Sequence, residues 1–270
     1  MSEWVEEPIQ GEILYYDKVT FVRGGRQILR GVNWQIKNGQ RWALLGRNGA
    51  GKSTLLSMIP AYTFPTRGTM RVLGYTFGKY AWKNIKERVG FVSSSLAAFA
   101  GTLASEPLWK VVLSGEGNTI GIYQEMTEEA KAKALAIVHA FHLDYVAEAE
   151  FGRLSTGEQR RTLLARAFMA EPDLLIFDEP CNGLDVPARE EFLRTVEEQS
   201  EQGDLPPFVY VTHTIEEIVP AVTHVAMLKD GQIMAAGPKK DLLTDKYLTD
   251  LYDWPVHVLW ENNRPWLIVK

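Results

Sequence analysis

The stretch Gly46-Arg47-Asn48-Gly49-Ala50-Gly51-Lys52-Ser53-Thr54 constrains this chain more than any other. It fits G-x-x-x-x-G-K-[ST], and its flanks are the ones this pattern needs. Residues 42–45 are a short apolar run that predicts a strand. Residues 52–59 place apolar side chains at 55, 56 and 59, a helical spacing, and Pro60 closes it. A glycine-rich loop between strand and helix wraps its backbone so that successive N–H groups face phosphate oxygens. In this setting Lys52 brings a point positive charge to the β and γ phosphates, and Ser53 offers its hydroxyl to magnesium. Asn48, Gly49, Ala50, Gly51, Lys52, Ser53 and Thr54 are therefore the expected nucleotide contacts. A chance glycine-rich turn would not come with these flanks.

The remaining pattern is that of a mixed α/β protein. Residues 11–22 are rich in strand formers, 23–26 form a turn, and 27–36 return as a strand with alternating apolar positions. Residues 66–92 predict strands and turns. Ala, Glu, Lys and Leu dominate 125–150, which predicts a helical insertion, with Thr127, Glu128 and Glu129 as its start. A helix follows at 155–170, a buried strand at 174–177, a helix at 187–200, a strand at 208–212 and a helical turn at 215–219. Residues 225–229 and 232–236 suit a hairpin around Asp230-Gly231. The tail 241–270 ends in a strand-like run.

Composition narrows the class. The chain has 270 residues, 46% hydrophobic and 23% charged, with 29 basic against 34 acidic side chains. A net charge of −5 makes nucleic acid an unlikely partner. The single cysteine, Cys181, permits no internal disulfide and suits a reducing cytoplasm. The start MSEWVEEPIQ has neither the basic nor the apolar part of a signal peptide. Apolar runs are of core-strand length, far short of a bilayer span, so a membrane role needs a partner chain.

Two more segments carry chemistry. Leu174-Leu175-Ile176-Phe177-Asp178-Glu179-Pro180 is an apolar strand ending in two acids. Asp178 suits a magnesium ligand acting through water, and Glu179 can orient and polarise an attacking water. Alone, this pattern is also an ordinary acidic turn after a strand. Leu154-Ser155-Thr156-Gly157-Glu158-Gln159 is a capping box by the rule S-x-x-E, and equally a helix start suited to an anion.

Taken in order, these segments resemble the ATP-binding-cassette (ABC) ATPases. LSTGEQ resembles the LSGGQ-type signature of that family and precedes the Walker B strand, as it does there. Asn182-Gly183-Leu184-Asp185 resembles the D-loop, and His213 follows its strand where the family carries a switch histidine. The resemblance covers about 11–240. It implies a P-loop NTPase core with an antiparallel β subdomain and a helical signature subdomain near 95–165, followed by a C-terminal extension at 241–270. It also implies ATP and Mg2+ as cofactors, with Glu179, His213 and Lys52 catalytic. Ser53, Asp178 and Ser94 stand at the metal, Ser155, Gly157 and Glu158 face the nucleotide of a second copy, and Asp185, also a nucleotide-binding residue, lies in the D-loop that meets its counterpart across the dimer. The partners implied are that second copy and an integral-membrane permease, with the chain on the cytoplasmic face of the membrane.

Two positions depart from the family. Ser94 stands where a glutamine is usual, and its shorter side chain would need a bridging water to reach magnesium. Arg23 stands where an aromatic residue usually stacks on adenine. Its planar guanidinium can stack too, or it is a surface charge, with Tyr15, Tyr16 or Phe21 stacking or packing the core. These features resemble a smaller molybdenum-associated and photorepair-associated group, with iron-chelate and vitamin B12 importers as neighbours. Ser94 also keeps open a soluble cassette ATPase of regulation, translation or nucleic-acid maintenance. Intact Lys52, Asp178, Glu179 and His213 speak against a non-hydrolysing module.

Overall fold

The computed structural model describes residues 7–93, 100–116, 127–203 and 205–270. The chain divides into two compact units, Met1–Lys86 with Pro207–Lys270, and Glu87–Pro206.

In the first unit, β1 (Glu12–Arg23) and β2 (Arg26–Lys37) form a long antiparallel hairpin. The predicted alternation is real: Leu29, Val32, Trp34 and Ile36 of β2 are buried while their neighbours face outward. β3 (Arg41–Leu45) leads to α1 (Lys52–Ser57). β4 (Arg67–Val72) and β5 (Tyr75–Thr76) complete an antiparallel sheet of order β2-β1-β4-β5. Tyr16 anchors this sheet to α1. Its ring stacks on Trp34 and its hydroxyl donates to the Leu55 carbonyl at 2.9 Å. A short α2 (Trp82–Glu87) lies where strands and turns were expected. It is pinned by Trp82, whose Nε1 donates to the Ile59 carbonyl and whose ring meets Phe77 edge-on.

The second unit starts with β6 (Val89–Ser93) and continues through α3 (Ala100–Leu103), α4 (Leu108–Leu113), α5 (Glu128–Ala140) and α6 (Thr156–Met169) to β7 (Leu174–Asp178) and α7 (Val186–Glu201). β6 and β7 pair in parallel, with Ser93 opposite Asp178. Leu108, Val111 and Val112 of α4, Ala134 and Val138 of α5, and Leu164 of α6 are buried. Caps set the helix starts. Thr127 Oγ1 accepts from Ala130 N at 3.1 Å, and Asp185 Oδ1 accepts from Ala188 N at 3.0 Å.

The chain then returns to the first unit. β8 (Phe208–Thr212) and β9 (His224–Lys229) flank β3, both parallel to it, and β10 (Gln232–Pro238) turns back against β9. All four apolar residues of β3 are buried, as a strand between two parallel neighbours requires. The tail adds α8 (Lys239–Leu242), α9 (Asp245–Tyr252) and a hairpin of β11 (Val256–Glu261) and β12 (Arg264–Val269). α9 was not expected, because its apolar signal is only Leu248 and Leu251, both buried, among polar residues.

Candidate nucleotide-hydrolysis site

The P-loop leaves the carboxyl end of β3 and is held by backbone that comes close to it. A Cβ on Gly46 would lie 2.4 Å from the Leu228 carbonyl oxygen, so only glycine fits there. Gly51 has φ 107, and a Cβ there would lie 2.9 Å from Leu29 Cδ2 of β2. The β9–β10 turn closes the arrangement. Gly231 N donates to the Ala50 carbonyl at 3.2 Å, and the Gly231 carbonyl accepts from Arg30 N at 2.8 Å. Gly231 is thus a structural part of the phosphate loop that the sequence showed only as a turn. Lys52 is buried, and its Nζ donates to the Gly46 carbonyl at 2.8 Å and the Arg47 carbonyl at 3.4 Å. Asn48, Gly49 and Ser53 are exposed, Thr54 half-buried and Ala50 buried.

Strand register brings His213 to the same end of the sheet. β3 and β8 run parallel with Leu45 opposite Thr212, so Gly46 and His213 leave adjacent strands side by side. The His213 side chain is exposed. Its loop is shaped by Thr212, whose Oγ1 accepts from Thr214 N at 2.9 Å.

Arg23 ends β1, opposite Arg26. Phe21 pairs with Leu29, the residue that crowds Gly51, so this hairpin tip projects past the P-loop. Two of the aromatic alternatives fall away. Tyr16 is in the core, and Tyr15 lies under the Arg71 guanidinium, 3.9 Å from its ring centre. Arg23 is exposed and Phe21 half-buried.

The second unit carries the acids and the signature. Asp178 ends β7. Glu179 follows with φ 50, a left-handed backbone that a branchless turn residue would adopt more easily. Such conformations cost energy and concentrate at functional positions. No local rule revealed it. The carbonyls of Glu179 and Cys181 accept from Asn182 N and Leu184 N, so 179–184 turn tightly before Asp185 caps α7.

At the start of α6 the capping box is present in full. Glu158 N donates to Ser155 Oγ at 3.3 Å, and Glu158 Oε2 accepts from Ser155 N and Ser155 Oγ, both at 2.7 Å. Tyr145 adds a third donor to Glu158 at 2.8 Å. Desolvation acts to raise the Glu158 pKa, but the donors from Ser155 and Tyr145, with Arg161 nearby, hold the carboxyl below its usual range. Gly157 has a second reason to be glycine. A Cβ there would stand 2.9 Å from the Ala188 Cβ on α7. Ser94, expected at the metal, lies outside the described residues.

Each unit carries oxygen donors of the kind magnesium takes. Ser53 offers a hydroxyl in the first turn of α1, and Asp178 and Glu179 are half-buried carboxylates. Among the described residues no group of three or more His, Cys, Asp or Glu is placed to hold a metal ion. Magnesium keeps several waters and takes one or two carboxylates plus substrate phosphates, so a carboxylate such as Asp178 is the kind of ligand it takes.

Residues 29–182 match the ABC transporter family. The chain belongs to the ABC transporter family. An uncharacterized ABC transporter ATP-binding protein of Bacillus subtilis, YlmA, is 39% identical over 256 residues, spanning 94% of this chain and 96% of that protein. The hemin import ATP-binding protein HmuV of Thermobifida fusca is 31% identical, over 87% of this chain and 80% of its own length. The ADP conformation of an ATP-binding cassette of an ABC transporter superposes with a TM-score of 0.78 at 22% identity, covering 90% of this chain and 98% of the other, a likeness of fold. This ABC protein is an ATPase, the ATP-binding and ATP-hydrolysing subunit of a transporter, on a P-loop NTPase fold. No helix of the described residues is long and apolar enough to cross a membrane.

Proposed function

We propose that this ATPase works as a head-to-tail dimer on the cytoplasmic face of a membrane, where it powers integral-membrane permease subunits. The observation that carries the hydrolytic part of the reading is the register of β3 and β8, which delivers the P-loop and His213 side by side, and the likeness to transporter ATP-binding proteins such as HmuV supports the membrane partner. Lys52 and the P-loop N–H groups hold the β and γ phosphates, and His213 meets the γ phosphate. Ser53 and Asp178 hold magnesium, which when bound neutralises charge building on the phosphates. Glu179 takes the proton of the attacking water. Arg23 offers its guanidinium plane to the base. A P-loop alone leaves one side of the γ phosphate open to water. Ser155 and the Gly157 N–H of a second copy close it, at the dipole-positive start of the 14-residue α6. Two identical chains then share two sites about a two-fold axis.

Glu179→Gln tests this directly. The amide keeps the shape of the carboxylate but cannot take a proton. With ATP the variant should run as a dimer on gel filtration and show no turnover. A monomer that hydrolyses ATP at the wild-type rate would overturn the assignment.

A further inference from the structure

The C-terminal tail grips two loops of the ATPase within its own unit. The burial of Leu248 and Leu251 fixes which way α9 faces. That orientation brings Tyr252, its last residue, to the loop after β8, where the hydroxyl donates to the His213 carbonyl at 3.2 Å. The next residue, Asp253, ends the helix in a left-handed conformation with φ 54. Its carboxylate then accepts from Lys229 Nζ at 2.5 Å and from Arg47 of the P-loop at 2.8 Å. The hairpin grips the other end of the His213 loop. Arg264 Nε donates to the Glu216 carbonyl, and Leu267 N donates to Glu216 Oε1 at 3.1 Å. From beneath, Tyr210 donates to Glu217 Oε2 at 3.0 Å. The loop 213–217 is therefore held at its first residue by α9 and near its last by β12.

We propose that this tail is a positioning element for ATP hydrolysis, with Tyr252 as the residue that sets the backbone of His213. Residues 241–270 thereby act on turnover without touching the nucleotide. The inference rests on the reading of His213 as the side chain that meets the γ phosphate. The Arg47–Asp253 pair is exposed on both sides and contributes little by itself, so Tyr252 carries the test. Its ring is half-buried, and desolvation pushes the hydroxyl pKa up, so it stays a donor throughout the working range.

The test uses the full chain and Tyr252→Phe, which keeps the ring packing and removes only the donor. One neutral hydrogen bond gates a change of about threefold to tenfold. Steady-state ATPase assays should show kcat falling by about that factor. The KM for ATP should stay within about twofold, and the melting temperature should fall by no more than about 2–4 °C, the loss of one hydrogen bond. His213→Ala, run beside it, should remove nearly all turnover. If His213→Ala is inactive while Tyr252→Phe keeps wild-type kcat, the positioning role is wrong. A fall in kcat accompanied by a raised KM and a melting temperature lowered well beyond that range would show a merely structural contact, which also overturns it. If His213→Ala turns over normally, the failure lies in the reading of His213, and the inference falls with it.

Discussion

The P-loop and the signature helix are both helix starts shaped around glycine, yet they are held in place by different forces. At Gly46–Lys52 the constraint is backbone against backbone: the Leu228 carbonyl against Gly46, and Gly231 bonded to Ala50. At Ser155–Glu158 the constraint runs through side chains, those of Ser155 and Glu158 bonding each other and each other's backbone N–H, with Tyr145 added. Backbone can yield only by moving a strand or turn, whereas side chains can change rotamer. The phosphate loop should therefore be brittle to a single methyl, and the signature should degrade in steps.

The largest break should come at Gly46→Ala. The added methyl would sit 2.4 Å from the Leu228 carbonyl oxygen, and Gly46 has no positive φ, so crowding alone is tested. Overpacking against backbone should cost about 3 kcal/mol or more. Thermal unfolding and ATP titration should show a lower melting temperature and lost binding. Unchanged affinity would mean that the loop yields, and the contrast would fail.

A smaller effect is expected at Gly157→Ala. Its methyl meets the Ala188 side chain at 2.9 Å. Overpacking of about 1–3 kcal/mol is offset by about 1 kcal/mol of helix propensity gained over glycine. Denaturant unfolding should show a net loss below that of Gly46→Ala. A larger loss at Gly157 would reverse the ranking of the two regions.

The smallest is Tyr145→Phe. This exposed hydroxyl is one of three donors to Glu158, and its loss should cost about 0.5 kcal/mol. The capping box should persist. A drop as large as that of Gly157→Ala in the same unfolding assay would show that the network, not the box, holds the helix start.

The same division explains what could be read in advance. Local rules placed the P-loop after β3, the Thr127 cap, the Ser155–Glu158 box and the turn at Asp230-Gly231, because each depends on neighbours a few residues away. The grip of Gly231 on Ala50, the Leu228 carbonyl over Gly46 and the Tyr252 bond to His213 join residues far apart in sequence, and no periodicity signals them. The left-handed backbone at Glu179 was equally hidden, since glutamate has no preference for it. α9 escaped because it is only 8 residues long and its stripe rests on two leucines. The fold was legible wherever chemistry repeats along the chain; the site was legible in its residues but not in what holds them.

That Ser155 of one chain completes the site of another is tested most directly by crosslinking. Asn48 and Ser155 are both exposed, and the lone native thiol, buried Cys181, can be removed. Asn48→Cys and Ser155→Cys are placed together in a Cys181→Ser, Glu179→Gln chain, which is oxidised with and without ATP. A disulfide joining two chains, formed only with ATP and seen as a dimer on a non-reducing gel, is the predicted result. Crosslinks exclusively within one chain, or none under any nucleotide condition, would contradict the shared site.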